Sequence, residues 1–494
     1  MRRLITTLAL AAMPIMLAGA PAVADRPPTI AWHACQTGPE DDTGAELDRA
    51  GAQCGELTVP LDYAHPGGRA ISVAMSRIPA TDRAHRLGSL LLNTGGPGAS
   101  GLGDVLPIRE WLRDAGSRYD LIGMDPRFIG RSTPLDCGWP VGTWIRAGGP
   151  DRAGFERTAA HEADLAHRCG ARHEEVLAHA TTRNTARDMD AIRAALGERQ
   201  LSYLGYSYGT YLGSVYAQMF PSRAGRMVLD SAVDPHSYGP RLLRDVGAAN
   251  EEGLRDWAKW AATHHEEQRL GATETAVLKA VDRIIAAAAE RPLRVGTFRV
   301  DRETVRGLLL DAISDDRDAP SADLAATVRV LEWAAVMGHA EPTESLAETL
   351  TFMLTGAESS YGSVQAAILC GDVAAPRDPA VYLRDIRAAL PREPHFAPVT
   401  RNLGPCAFWP VTPAEQPTRI GNSVPALIVQ STGDTRTTYQ SALGLHAALR
   451  GSRMVTLRDA RIHAVFGNYG NTCIDDQVIG YLRTGVLPAT DVFC

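Results

Sequence analysis

The chain has 494 residues, 45% of them hydrophobic and 22% charged, enough apolar material for a large core. That length allows about two to three domains. A formal net charge of −7 and a pI near 6.1 offer no basic footprint for nucleic acid.

The N-terminus reads as a secretory signal peptide over residues 1–24. Arg2 and Arg3 form the positive region, Leu4 to Leu17 the apolar region, and Ala22-Val23-Ala24 the cleavage site, leaving Asp25 as the mature start. Pro14 interrupts the apolar run, which is short of the ~20 residues a spanning helix needs. The expectation is an extracellular protein with no stable membrane anchor.

The cysteines fit export. Cys35, Cys54, Cys137, Cys169, Cys370, Cys406, Cys473 and Cys494 contain no C-x-x-C pair, which argues against zinc and redox motifs. Sequence alone leaves about 105 pairings open for eight cysteines. They fall into neighbouring couples, predicting Cys35–Cys54, Cys137–Cys169, Cys370–Cys406 and Cys473–Cys494. Each closed loop would contribute roughly 3–4 kcal/mol by restricting the unfolded chain.

Residues 25–60 look irregular until Gly55 to Tyr63, which suggests a strand and turn. Ile71 to Ile78 alternates apolar and polar as a half-buried strand does. Gly88 to Asn93 is a short apolar strand running into Thr94-Gly95-Gly96-Pro97-Gly98-Ala99-Ser100-Gly101. Such a loop exposes backbone N–H groups. Phosphate cradling is the rival reading, but the G-K-[ST] ending is missing, so an oxyanion-hole loop fits better. Tyr119 to Asp125 is another buried-type strand, and residues 150–198 read as helix.

Leu201 to Tyr206 reads as a strand and Thr210 to Phe220 as a helix ended by Pro221. Between them lies Gly205-Tyr206-Ser207-Tyr208-Gly209. Strand, tight turn and helix turn this G-x-S-x-G pattern into a nucleophile elbow with Ser207 at its tip. Arg226 to Asp230 is the next strand. Alternating strands and helices imply an α/β fold with a mostly parallel sheet.

That rhythm stops over residues 237–400, which are mainly helical: Leu242 to His264, Glu274 to Arg291, Arg302 to Ile313, Ala322 to Met337 and Pro342 to Leu354, with a strand signal only near Arg294 to Val300. This stretch is expected to be a helical cap inserted into a core of 25–236 and 401–494. Strands resume at Val424 to Gln430 and Ser452 to Leu457, joined by a helix over Tyr439 to Arg450.

A serine hydroxyl needs a base, and the base an orienting acid, which follow the serine in the order acid then histidine on this fold. Asp434 follows the strand ending at Gln430, and His463 follows the strand ending near Leu457. Asp459 and His446 are poorer rivals: Asp459 shares the short connection with His463, and His446 sits inside the connecting helix.

The chain resembles the secreted actinobacterial tripeptidyl aminopeptidases, α/β-hydrolase serine exopeptidases related to prolyl aminopeptidases. The matching stretches are Asn93 to Gly101, Asp125-Pro126-Arg127 through Pro134, Gly205 through Pro221, Val228 through Pro235, Ile368 through Asp372, and Asn471 through Cys494. The resemblance implies Ser207 as nucleophile, Asp434 as acid and His463 as base, with the N–H groups of Gly96 and Tyr208 as the oxyanion hole. Phe128, Ser231 and Ala464 stand where that family usually has glycine, so the pocket is expected to differ in shape.

An exopeptidase also needs a carboxylate for the substrate's α-ammonium. Asp372 is the first candidate, with a cap or turn residue beside a disulfide as its alternative role. Asp315 and Asp316 are weaker candidates, better read as a solvated loop. The predicted reaction removes di- or tripeptides from free N-termini. Its rivals are an esterase or amidase with the same triad, and a non-enzymatic binding scaffold. A monomer needing no metal or cofactor is expected.

Overall fold

The structure, a computed structural model, describes residues 29–149 and 151–494. The predicted signal peptide, residues 1–24, and the start at Asp25 lie outside them.

Nine strands form one sheet: β1 (Gln53–Pro60), β2 (Ala70–Ile78), β3 (Gly88–Asn93), β4 (Tyr119–Met124), β5 (Leu201–Tyr206), β6 (Ala224–Asp230), β9 (Ala426–Ser431), β10 (Ser452–Leu457) and β11 (Val492–Phe493). Their order is β1-β2-β4-β3-β5-β6-β9-β10-β11. β1 pairs antiparallel with β2 and β2 with β4; every other pairing in the sheet is parallel. β7 (Leu293–Val295) and β8 (Phe298–Val300) form a separate hairpin.

Helices cover both faces of the sheet, so its central strands are apolar on both sides. β5 and β9 are buried at every residue. Their side chains alternate between two cores. Leu91, Tyr203, Met227 and Ile428 point into one; Leu90, Leu92, Leu204, Val228, Leu427 and Val429 point into the other. This two-residue period is the reason continuous apolar runs form strands here.

The inserted helical region contributes to two cores. Gly247–Thr263, Glu274–Glu290, Arg302–Ala312, Asp318–Met337 and Glu344–Leu354 surround a third cluster that includes Trp257, Leu309 and Leu331. The helix Ser359–Asp372 instead buries Val364, Ile368 and Leu369 in the sheet's own core. Among the described residues, no helix is long and apolar enough to cross a membrane.

Several local readings change. The N-terminal stretch holds a helix at Asp42–Arg49, capped by the Asp41 carboxylate, and strand β1 begins at Gln53. The helix expected over 150–198 is two, Arg152–Leu177 and Thr182–Ala195. The second starts where the Thr181 side chain accepts the Asn184 N–H, a side-chain cap that competes with continuing the first helix.

One polar interaction explains the Asp125-Pro126-Arg127 stretch. Arg127 and Asp188 are fully buried and form a bidentate pair, with both N···O distances 2.7 Å. The Tyr63 hydroxyl also donates to Asp188, and Arg127 donates to the carbonyls of Pro60, Leu61 and His179. The buried charges are therefore paired and saturated with hydrogen bonds, the condition under which they are tolerated in a core.

Disulfides join Cys35 to Cys54, Cys137 to Cys169, Cys370 to Cys406 and Cys473 to Cys494.

Candidate active site

Ser207 sits between β5 and the helix Tyr208–Met219 with φ 55° and ψ −124°. This is sparsely populated backbone for a residue with a side chain, and surrounding contacts hold it. The Ser207 N–H donates to the Asp230 carbonyl at 2.9 Å, and its carbonyl accepts from Thr210. The turn is compact: a Cβ on Gly209 would lie 2.6 Å from the Asn93 carbonyl oxygen. That contact is why a glycine follows the serine by two residues.

Asp434 lies in the turn after β9 and is 1% exposed. His463 Nδ1 is 2.9 Å from Asp434 Oδ2 and 3.2 Å from Oδ1. A carboxylate only accepts, so Nδ1 carries the proton and Nε2 is left free to accept one. Asp434 also accepts from the N–H groups of Arg436 and Thr437 and from the Thr437 hydroxyl, at 2.7, 3.0 and 2.9 Å. Burial opposes its charge, but His463 and these donors outweigh burial and hold its pKa below the usual carboxylate value. Ser207 and His463 line the same cavity. The Ser207 hydroxyl makes no hydrogen bond among the described residues, a looseness common in the absence of substrate.

The loop carrying His463 is tied down on both sides. Val465 and Phe466 donate their N–H groups to Asp230 at 3.0 and 2.7 Å, and Ala464 donates to the Ser231 hydroxyl at 2.8 Å. The Ser431 hydroxyl donates to the Ile462 carbonyl. Burial pushes the Asp230 carboxyl up to about 6 against the pull of those N–H donors. The three positions where the related family favours glycine now have a physical account. Phe128, Ser231 and Ala464 have φ of 73°, 59° and 66°, the left-handed region that glycine enters most easily.

Gly96 and Tyr208 both line the cavity. Tyr208 opens its helix, so its N–H lacks an intrahelical acceptor. Gly95, at φ 102°, fits against the elbow: a Cβ there would lie 2.6 Å from the Tyr206 carbonyl and 3.2 Å from the Tyr208 nitrogen. The loop therefore brings Gly96 beside the elbow, in an arrangement able to place two N–H groups on a developing oxyanion.

The cavity holds about 340 Å³ and is walled largely by apolar and aromatic side chains, among them Trp144, Leu242, Phe352 and Tyr361. It shares Thr143, Ile145, Asp311, Phe352 and Arg436 with a second cavity of about 310 Å³.

Asp372 requires a correction. It does not line the cleft; it lies one layer behind it. The Thr182 N–H, the Thr182 hydroxyl and the Tyr238 hydroxyl all donate to its carboxylate, and Thr182 in turn hydrogen-bonds the Tyr208 hydroxyl. Burial pushes its pKa up to about 6. Its site is the buried end of the helix Ser359–Asp372, at the start of the helix Thr182–Ala195, where its carboxylate is taken up by these donors. Asp372 therefore braces two tyrosines of the cleft wall. Asp315 and Asp316 are not a solvated loop either: they contact the loop that carries His463.

Sequence reasoning missed two residues. Asp311 is the one carboxylate that lines the cavity of Ser207 and His463 among the described residues. Gln365 lines it too, and its buried Oε1 has no hydrogen-bond partner among them. Asp311 lies in the last turn of a predicted helix, Arg302 to Ile313, with nothing local to distinguish it. Arg436, two residues beyond Asp434, is the available signal, because its guanidinium reaches Asp311 at 3.1 Å.

Comparison with known proteins agrees with this geometry. Residues 88–329 match the family model described as alpha/beta hydrolase fold, and residues 395–494 the one described as TAP-like protein. The chain is 39% identical to a tripeptidyl aminopeptidase of Streptomyces coelicolor over 90% of this chain and 83% of that protein. It is 31% identical to the serine protease Hip1 of Mycobacterium tuberculosis, over 90% of this chain and 87% of that one. It is 29% identical to carboxylesterase B of the same species, over 96% and 91%. With a serine elbow, a buried acid on the base and these relatives, the chain belongs to the tripeptidyl aminopeptidase family of α/β-hydrolase-fold serine hydrolases.

Proposed function

We propose that this protein is a secreted exopeptidase that removes di- or tripeptides from free N-termini through an acyl-enzyme on Ser207. The observation that carries the reading is the placing of Ser207 and His463 in one cleft whose single lining carboxylate, among the described residues, is Asp311. The four disulfides favour an oxidising compartment.

His463 Nε2 takes the Ser207 proton as the hydroxyl attacks the scissile carbonyl, and the Gly96 and Tyr208 N–H groups receive the oxyanion. The proton then passes to the leaving amine as the C–N bond breaks. Water, deprotonated by His463, releases the peptide and restores Ser207. Asp434 holds the imidazole tautomer and stabilises its charged form. Asp311 receives the substrate's α-ammonium beyond the acyl carbonyl, which limits how many residues fit.

A carboxylesterase reading is the alternative, favoured by the apolar cleft wall and by the named activity of one relative. Unblocked di- and tripeptidyl anilides, their N-blocked counterparts and short p-nitrophenyl esters separate the two. The exopeptidase reading expects turnover of unblocked anilides and a raised KM for them alone in Asp311→Asn. Preference for esters, with no gain from a free amine, overturns it.

A further inference from the structure

The backbone around His463 has two anchors of different origin. On its C-terminal side the N–H groups of Ala464, Val465 and Phe466 are held by Ser231 and Asp230 at the end of β6. On its N-terminal side the core supplies the Ser431 hydroxyl to the Ile462 carbonyl and the Gly433 N–H to the Ala460 carbonyl, and a further partner belongs to the inserted helical region. The Arg461 N–H donates to Asp316 Oδ2 at 2.6 Å, and the Asp316 N–H donates back to the Arg461 carbonyl at 2.9 Å. Asp315 and Ile462 form an isolated antiparallel bridge, so the segment after the helix Arg302–Ala312 runs as a strand-like edge along the loop.

Further bonds extend this edge. Arg461 Nη1 donates to the Ile313 carbonyl at 3.3 Å, Arg317 Nη1 to the Asn468 carbonyl at 2.8 Å, and the Tyr469 hydroxyl to Asp316 Oδ1 at 3.3 Å. The loop of the catalytic acid is held from the same side. Asn250 Nδ2 donates to the Thr435 carbonyl at 2.8 Å, and Arg436 Nη2 donates to the Asp311 carbonyl at 3.0 Å. The loops of Asp434 and His463 thus each take part of their frame from the helical insertion.

We propose that Asp316 is a positioning residue for His463, and that the insertion, through its 311–317 segment, completes the catalytic base as well as roofing the cleft. The physical reason lies in the geometry of proton transfer. A displacement of about 1 Å at the base can cost on the order of 100-fold in rate. On the N-terminal side the core holds the loop through Ile462 and Ala460, on either side of Arg461. Asp316 fixes Arg461 itself, through an acceptor for its N–H and a main-chain bond in return, and so limits how far the backbone next to the imidazole can shift.

The inference rests on the triad and not on peptide specificity, so it is tested with a reagent blind to the acyl group. The rate at which a fluorophosphonate probe labels Ser207 is measured beside kcat and KM on whichever anilide or ester the full-length enzyme turns over. Asp316→Ala is expected to slow labelling and kcat together by about ten-fold with KM within about two-fold. Asp316→Asn, which keeps an oxygen for the Arg461 N–H, is expected to recover most of that loss. Unchanged labelling in Asp316→Ala, or an Asn variant as slow as the Ala variant, overturns the proposal. Should Asp316→Ala fail to fold, Tyr469→Phe carries the test. Removing one donor to Asp316 is expected to slow labelling by about two- to three-fold, and an unchanged rate overturns the idea.

Discussion

The Ser231 hydroxyl accepts the Ala464 N–H at 2.8 Å and so fastens the end of β6 to the residue that follows His463. Both residues hold that contact at a cost in backbone strain, with φ of 59° and 66°. Glycine relaxes either position, but only a side chain provides the acceptor at Ser231. Ala464→Gly is therefore expected to stabilise the fold by up to about 1 kcal/mol in denaturant unfolding, with activity retained. Ser231→Gly is expected to lower kcat by about three- to ten-fold, because the loop loses a tether. Wild-type turnover in Ser231→Gly would show that the hydroxyl has no part in holding the base.

Asp434 is saturated with donors, so its replacement by Asn keeps the shape while reversing a polarity. An amide cannot accept from every group now facing both oxygens, and its NH2 favours the wrong imidazole tautomer. Asp434→Asn is expected to lower kcat on the order of 10³- to 10⁴-fold. Circular dichroism would report an intact fold. A variant within about ten-fold of wild type would move the acid's role to another residue.

Asp372 makes a pH-dependent contribution of definite sign. Its pKa rises from 3.8 to about 6 on folding, so the folded state binds the proton more tightly than the unfolded chain. The stability it gives is complete below pH 3.8 and is lost as pH rises through about 6. Asp372→Asn never ionises and escapes that loss. Its stability relative to wild type should therefore increase from about pH 4 to about pH 7, by at most about 3 kcal/mol. Unfolding series at several pH values measure the difference, and a flat difference contradicts the assignment. Because Asp372 lies behind the cleft wall, the substitution should alter KM for free-amine and N-blocked substrates alike.

The C-terminus is stapled. Cys473 lies in the first turn of the helix Thr472–Thr484 and bonds Cys494, 21 residues later, while β11 pairs with the edge of β10 at Val455 and Thr456. A strand of two residues has little pairing of its own, so the disulfide keeps it in register. Replacing both cysteines with serine is expected to cost about 3 kcal/mol and to open β11 first, seen as early hydrogen exchange at Val492 and Phe493. Protection equal to wild type at those amides would show that pairing alone suffices.

Chemistry that depends on local pattern is legible in the amino-acid sequence. A strand, a tight turn and a helix around Ser207 are written in adjacent residues, because glycine spacing and apolar periodicity act over a few positions. Asp434 and His463 stand out because strand ends on this fold deliver them in a fixed order. The cysteine couples are readable for the same reason of nearness.

Asp372 misleads because its position beside a disulfide is visible in sequence, whereas the direction its helix faces is not. Packing of Ser359–Asp372 onto the sheet's own core turns that carboxylate toward Thr182 and Tyr238. Asp311 is invisible as a site residue, and Asp316 is legible only as a weak ligand candidate, because their partners, Arg436 and Arg461, lie more than a hundred residues away in the chain. By itself, then, the sequence determined the α/β sheet and singled out Ser207, Asp434 and His463 as the candidate nucleophile, acid and base, since each follows from short-range pattern and strand order. Only the tertiary structure decided which carboxylate faces the cleft and which segment contacts the loop of His463, because those depend on how a separately packed helical insertion lands on the sheet.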